Sequence, residues 1–306
     1  MENNFFWIGG KHAVLSASKN EKRELGEIYL TNENNKIKFS GKEKIQIKNK
    51  SFIDKIFNDP NFNHQGFAAL VKKNENPKLE LLLKESNNEP LIFLILNELQ
   101  DDRNIGSIIR SAVAFGANGI IMNKRHFRSK SHEMFKTASG AMEHVAICLV
   151  SNLNNAIKIL KENNIPVIVS RPHRLPDNED DDPKAAFKIA SQLVNSGLLV
   201  SIDVSGSMER MNTRNLPFYA GSFAAYGLDK EEALQLITLN SAKILGINDK
   251  LGSLEVGKHA TLFLSKGDAL DMRTNIIEHA FISGRELSLE THQTELWKRY
   301  SKKFQK

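Results

Sequence analysis

From Leu91 onward the chain alternates short apolar runs with amphipathic stretches, and that rhythm leaves few folds open. Leu91–Leu96 is an unbroken apolar run of six residues, the pattern of a strand buried on both faces of a parallel sheet. Asn104–Phe115 then places Ile105, Ile108, Ile109, Ala112 and Phe115 on one helical face, with Gly116 as the stop. Strands follow at Gly119–Met122, Val145–Leu149 and Ile165–Ser170, separated by helices at Ser131–Ala138 and Asn152–Lys161. Strands joined through helices imply crossover connections, so this region predicts an α/β fold around a parallel sheet.

The flanks read differently. Residues 7–75 predict a small α/β unit with a helix at Lys11–Lys19 and strands at Glu27–Leu30, Lys44–Ile47 and Phe67–Val71. Ser51 is placed to cap a helix through Phe57. Asn74–Pro77 and Ser86–Pro90 read as connector around an ambiguous Leu79–Lys84. After Ser170 comes a loop, Arg171–Pro183, with three prolines and the acidic run Glu179–Asp182. A helix at Lys184–Val194, a strand at Leu198–Ile202 and a polar loop at Asp203–Asn215 follow. Asp229 and Glu232 have capping-box spacing for a helix to Ile237. Strands at Thr261–Leu264, Ile276–Ile282 and Glu286–Leu289 and a helix at Thr294–Phe304 complete the pattern.

With 306 residues, two or three domains of about 150 residues are expected. Apolar and charged shares of 41% and 25% exclude a disordered chain. A bilayer-spanning helix needs roughly 20 apolar residues, and Met1–Trp7 shows no cationic segment leading into an apolar one. A cytoplasmic protein without a membrane partner is therefore expected. The single cysteine, Cys148, excludes an internal disulfide and a cysteine-built zinc site. The net charge of +6 lies wholly in the first half: residues 1–164 hold 24 Lys and Arg against 18 Asp and Glu, the remainder 18 of each. Lys36, Lys38, Lys42, Lys44, Lys48 and Lys50 form one dense stretch, and Lys124, Arg125, Arg128 and Lys130 another. Cations beside phosphates release counterions, so this asymmetry favours a nucleic-acid partner for the first half. A solvated lysine-rich surface accounts for the same counts.

The most informative segment is Leu99–Ala117, with Gln100-Asp101-Asp102-Arg103-Asn104-Ile105-Gly106-Ser107-Ile108-Ile109-Arg110 at its centre. It follows a strand and opens a helix, so backbone amides face whatever lies at the strand's C-terminal end. On pattern alone Asn104 reads as an N-cap and Arg110 as a solvent-exposed helical arginine. The segment resembles the first motif of the SpoU family, the knotted SPOUT-class RNA ribose 2'-O-methyltransferases. Trp7-Ile8-Gly9-Gly10-Lys11-His12-Ala13-Val14 and His64-Gln65-Gly66-Phe67-Ala68-Ala69 resemble that family's small RNA-binding domain, and Lys136–Val145 its next block. The nearest branch methylates a guanosine of large-subunit ribosomal RNA. The resemblance implies Asn104 and Arg110 at the reaction centre, Arg110 activating the ribose hydroxyl or neutralising its phosphate. It also implies RNA contacts at Lys11, His12, His64, Gln65, Lys124, Arg125 and Arg128, ribosomal RNA as partner, S-adenosylmethionine as cofactor and a homodimer. Asp102 departs from the family, which commonly has proline there. So does everything beyond residue 164. The family's knot is built from a Gly-x-Glu-Gly-like and a Ser-Leu-Asn-like segment, and neither occurs here. The cofactor pocket is expected to be missing.

Residues 165–306 instead resemble the C-terminal part of a metal-dependent amidohydrolase of the imidazolonepropionase-like branch. The matching segments are Asn215–Gly221, Glu231–Leu234, Thr238–Gly246, Gly252–Thr261 and Phe281–Arg285. Such enzymes activate water on zinc-type metals at the ends of barrel strands. Their His-x-His is absent, and only His173 and Asp203 stand near strand ends, whereas a catalytic zinc generally takes three protein ligands. No zinc is expected. The sequence thus predicts an α/β chain in three parts: an RNA-binding domain over 1–80, part of a SPOUT-type parallel sheet over 88–164, and a remnant of an amidohydrolase barrel with β-sandwich strands over 165–306. The join falls near Lys161–Pro166. An RNA methyltransferase by descent, inactive alone, is the leading expectation. An amidohydrolase acting on cyclic amides or peptides and a non-catalytic RNA-binding module are the alternatives.

Overall fold

In the computed structural model, β1 (Phe5–Gly9), β2 (Leu25–Leu30), β3 (Lys44–Ile47) and β4 (Phe67–Lys72) form one sheet in the order β1-β4-β2-β3. Only β2 and β3 run parallel. The structure describes residues 4–34, 37, 39, 44–85, 90–97, 99–173, 175–176, 179–204, 209–301 and 303–304. Lys36, Lys38 and Lys42, residues 86–89 of the second connector, 174, 177 and 178 of the acidic loop, 205–208 of the polar loop and 302 of the last helix lie outside them. Alternation along the strands separates two faces. Phe6, Ile8, Ile28 and Leu30 point to the face covered by helix α1 (Lys11–Lys19). Trp7, Tyr29 and Ala68 point to the face covered by α2 (Lys50–Phe57) through Ile53 and Phe57. Helix α2 is capped by Asn49, whose side chain accepts from the Phe52 amide at 2.8 Å, so Ser51 lies inside the helix and is not its cap.

A second sheet of parallel strands, β5 (Phe93–Leu96), β6 (Gly119–Asn123) and β7 (Ala146–Val150), has β6 at its centre. The strand expected to be buried on both faces, β5, begins two residues late and is an edge with Ile95 exposed. The fully buried run is Gly119–Met122, because β6 alone has a strand on each side. Helix α3 (Leu79–Glu85) resolves the ambiguous segment, and α4 (Asp102–Ala114) and α5 (His132–Thr137) pack together. Gly106 permits that approach, since a Cβ there would lie 2.6 Å from the Met134 carbonyl oxygen. Phe115 leaves the helical face, 85% exposed, because α4 ends at Ala114 and Phe115 turns out of helical dihedrals.

Core residues from both sheets belong to one cluster: Ile8, Val14 and Ile28 join Ile105, Ile109, Ile120 and Met134. Residues Met1–Ile159 accordingly form one compact unit. At its centre Arg23 and Glu143 make an ion pair at 2.8 Å, each side chain 1% exposed. Glu143 also accepts from Asn20 at 2.8 Å, and Arg23 donates to the Lys72 carbonyl at 2.8 Å and to the Asn74 side chain. Cys148 lies buried on β7, and burial, with Glu80 nearby, pushes its thiol pKa up to about 11. The thiolate is the reacting form. A thiol reagent at pH 8 is therefore expected to leave the folded protein unlabelled and to modify Cys148 quickly in denaturant, as intact-mass measurement would show. Fast labelling of folded protein would contradict the burial.

The second compact unit spans Leu160–Lys306. Its strands β8 (Val167–Val169) and β9 (Val200–Ile202) form a parallel pair. Helices α7 (Ala185–Asn195), α8 (Leu216–Ala225), α9 (Lys230–Gln235) and α10 (Leu239–Ile244) follow α6 (Leu153–Glu162), which spans the boundary. Asp229 caps α9 as its spacing predicts, accepting from the amides of Glu231 and Glu232. Strands β10 (Leu262–Ser265), β11 (Ile277–Ile282) and β12 (Arg285–Glu286) make an antiparallel sheet with much of its apolar surface uncovered, Leu264 and Ile282 being 52% and 55% exposed. The last helix, α11 (His292–Ser301), buries no residue and exposes Trp297.

Candidate nucleic-acid interface

Helix α4 starts at the C-terminal end of β5, the position where free amides and the helix dipole attract negative charge. Asp101 is its N-cap, the carboxylate accepting from the Asn104 amide at 2.9 Å. Asn104 is thus not the cap, and its side chain is free for other work. The side chains of Asn104 and Arg110 are exposed and have no partner among the described residues. Six residues of α-helix separate them by roughly 9 Å of rise and about 120° of rotation, so they lie on different faces of α4.

Beside this helix start, the loop after β6 forms a 3-10 turn at Lys124–His126, with Asn123 accepting from the Arg125 amide at 2.9 Å. Lys124, Arg125 and Arg128 are all exposed. Arg128 reaches back to Asp102 at 3.6 Å, and Arg103 pairs with Glu133 at 3.3 Å. The second Asp102 oxygen is buried without a hydrogen-bond partner among the described residues. The acid that stands in the family's proline position therefore holds one of the cations.

The N-terminal motifs come together at the start of α1. Lys11 donates its amide to the Gln65 side chain at 2.9 Å, and Lys11, His12 and Gln65 are exposed. Gln65 and Gly66 both have positive φ, and a Cβ on Gly66 would sit 2.4 Å from the Thr31 hydroxyl, which explains the glycine. His64 is 2% exposed, its two ring nitrogens bonded to Asp54 at 2.9 Å and to the Gly66 amide at 3.0 Å. It fixes the turn that displays Gln65 and makes no surface itself. Sequence reading missed Ser16 and His144, which cross-link α1 to the Ala141–Glu143 turn. The Ser16 hydroxyl donates to the Gly140 carbonyl at 3.1 Å and meets His144 Nε2 at 3.0 Å. Nothing in the local pattern marks two residues so far apart in sequence as neighbours.

No glycine occurs in the segments leaving β5, β6 and β7, at 97–104, 124–131 and 151–152, whereas the segment after β9 holds Gly206. Nucleotide-type cofactors bind beyond such strand ends and need close backbone approach there. In the second unit His173 lies against Phe187 and Tyr219 and bonds Ser222 at 2.9 Å. Burial holds its pKa below the usual imidazole value. The Asp203 amide donates to the Val169 carbonyl at 3.1 Å. Among the described residues no three His, Cys, Asp or Glu side chains cluster as metal ligands. No helix there is long and apolar enough to cross a membrane.

Two family models match the chain. Residues 7–77 match the RNA 2'-O ribose methyltransferase substrate binding model, and residues 91–192 match the SpoU rRNA Methylase family. Bacillus subtilis YacO, named as a TrmH family tRNA/rRNA methyltransferase, is 32% identical over 211 residues, covering 65% of this chain and 84% of its own. Among solved structures, the SpoU methyltransferase AviRb of Streptomyces viridochromogenes with AdoMet is 16% identical at a TM-score of 0.48, covering 67% of this chain and 83% of that one. An amidohydrolase of Thermotoga maritima is 20% identical at a TM-score of 0.39, covering 68% of this chain and 51% of that one. At these scores neither structural likeness bears on activity. The sequence matches decide the matter: the chain belongs to the SpoU/TrmH family of RNA methyltransferases.

Proposed function

We propose that this chain binds ribosomal RNA, with the ribose of a guanosine set against Asn104 and Arg110, and that it does not transfer a methyl group by itself. The observation that carries the first half is the start of α4, where Arg128, exposed with Lys124 and Arg125 in the loop after β6, reaches Asp102 and the Asn104 side chain is exposed, with Arg110 exposed further along the same helix. Lys11, His12 and Gln65 supply a second contact, positioned by His64. The second half rests on the missing motifs and on the ends of β5, β6 and β7, which carry no glycine. On this reading S-adenosylmethionine, the family's methyl donor, has no site at those three strand ends. The match to the SpoU family runs to residue 192, past the expected join at Lys161–Pro166, so we read only the residues beyond it as an amidohydrolase remnant, without a hydrolase site, because its ligand candidates number two.

Binding of a ribosomal RNA fragment should weaken steeply with salt. Replacing Lys124, Arg125 and Arg128 together with glutamine in the full chain is expected to reduce the slope of log affinity against log salt by about two to three. Anisotropy titrations at several salt concentrations measure it. An unchanged slope would remove this loop from the interface, and absence of RNA binding by the unaltered protein would sink the proposal.

A further inference from the structure

On the α2 face of the first sheet the aromatic rings form a ladder. Trp7 and Tyr29 stack with centroids 5.0 Å apart and planes at 24°, and Phe52 meets Tyr29 edge-on at 5.4 Å. Trp7 is half-buried and Tyr29 buried, but Phe52, in the first turn of α2, is 42% exposed. The Lys48 ammonium lies 5.1 Å from the Phe52 ring and 5.6 Å from Tyr29. Strand β3 pairs Tyr29 with Gln46, and alternation puts Lys44 on that same side. Lys44 is exposed and Lys48, just past the strand, is half-buried, and the described strand order leaves β3 at the edge.

We infer that Phe52, Lys48 and Lys44 form a platform for single-stranded RNA, on which an unpaired base stacks against Phe52 while the lysines neutralise its phosphates. The inference rests on the RNA-binding reading above but uses a surface separate from the residues named there. An exposed ring backed by two others is already held in place, so little freedom is lost when a base covers it. A row of cations at strand spacing beside an aromatic face is the combination that recognises single strands without reading sequence. The carboxylate on this face, Glu27, is engaged by the Tyr29 hydroxyl and by Gln46 at 3.4 Å, which limits its repulsion of phosphate. Paired bases present no free ring face, so duplex RNA gains nothing from Phe52.

The test uses full-length protein with fluorescent decamers of A and of U, a matched RNA duplex and a ribosomal RNA fragment, at fixed low salt. Phe52→Ala is expected to weaken decamer binding by roughly fivefold or more, the low end of base stacking, while duplex binding stays within twofold. Phe52→Tyr should bind decamers as the unaltered protein does, and Lys48→Gln should weaken them with a shallower salt slope. Resistance of Cys148 to labelling confirms that each variant is folded. If the unaltered protein binds the ribosomal fragment while Phe52→Ala and Lys48→Gln bind decamers within twofold of it, the platform is wrong and the broader reading stands. If it binds no RNA at all, both fall.

Discussion

Purified protein mixed with ribosomal RNA and tritiated S-adenosylmethionine is expected to label the RNA no more than a protein-free control does. Methyl transfer depends first on holding donor methyl and ribose oxygen in attack geometry, a contribution of roughly 7–11 kcal/mol when fully realised. Asn104 and Arg110 cannot supply it. Proton-transfer assistance of the kind an arginine could give is typically worth about 10²–10⁴-fold, well short of positioning. Calorimetric titration with S-adenosylhomocysteine separates the steps and should show no heat at micromolar concentrations. Micromolar binding with turnover that disappears in Arg110→Ala would overturn the expectation and show that residues after 164 build a donor site of their own.

The largest loss of stability from one substitution is expected at Glu143→Ala. It strands the Arg23 guanidinium, 5% exposed, without its counter-charge. Breaking a buried pair from one side costs about 3–5 kcal/mol, a large part of the 5–15 kcal/mol that a whole domain typically has. The Lys72 carbonyl, the Asn74 side chain and the Phe135 ring at 5.6 Å still surround the cation, but none carries a negative charge. Removing both charges, in Arg23→Met with Glu143→Leu, should recover most of the loss, since replacing a buried pair by apolar residues is often near neutral. Urea unfolding followed by Cys148 labelling reads both variants. A loss below 1 kcal/mol in Glu143→Ala would mean that water reaches the pair.

The elements of the first unit were legible because their signals are local. Helix α1 agrees with its expected bounds, and β6, β7 and α5 fall within a residue of theirs, each marked by a run of apolar residues or by a capping residue such as Ser131. What failed depended on neighbours. The burial of a strand is decided by what lies on either side of it, so the apolar composition of Leu91–Leu96 could not reveal an edge. Asn49 and Ser51 both have capping chemistry, and only backbone geometry chooses between them. At the candidate site, the exposed placement of Lys11, Gln65 and Arg128 could be foreseen from residue type. The burial of His64 could not, because histidine serves equally well on a surface or inside a turn. Arg23 and Glu143 are 120 residues apart, and in sequence each looks like an ordinary surface charge.

The uncovered sheet of β10, β11 and β12 has a thermal consequence. The heat capacity of unfolding comes mainly from apolar surface newly wetted as the chain opens. Side chains such as Leu264, Ile282 and Trp297 are already in water in the native state, so melting this region wets little that was dry. The second unit will therefore add less to the curvature of stability with temperature than its length suggests. In that respect the 306 residues will behave as a shorter protein, with the dense first unit setting the temperature of greatest stability.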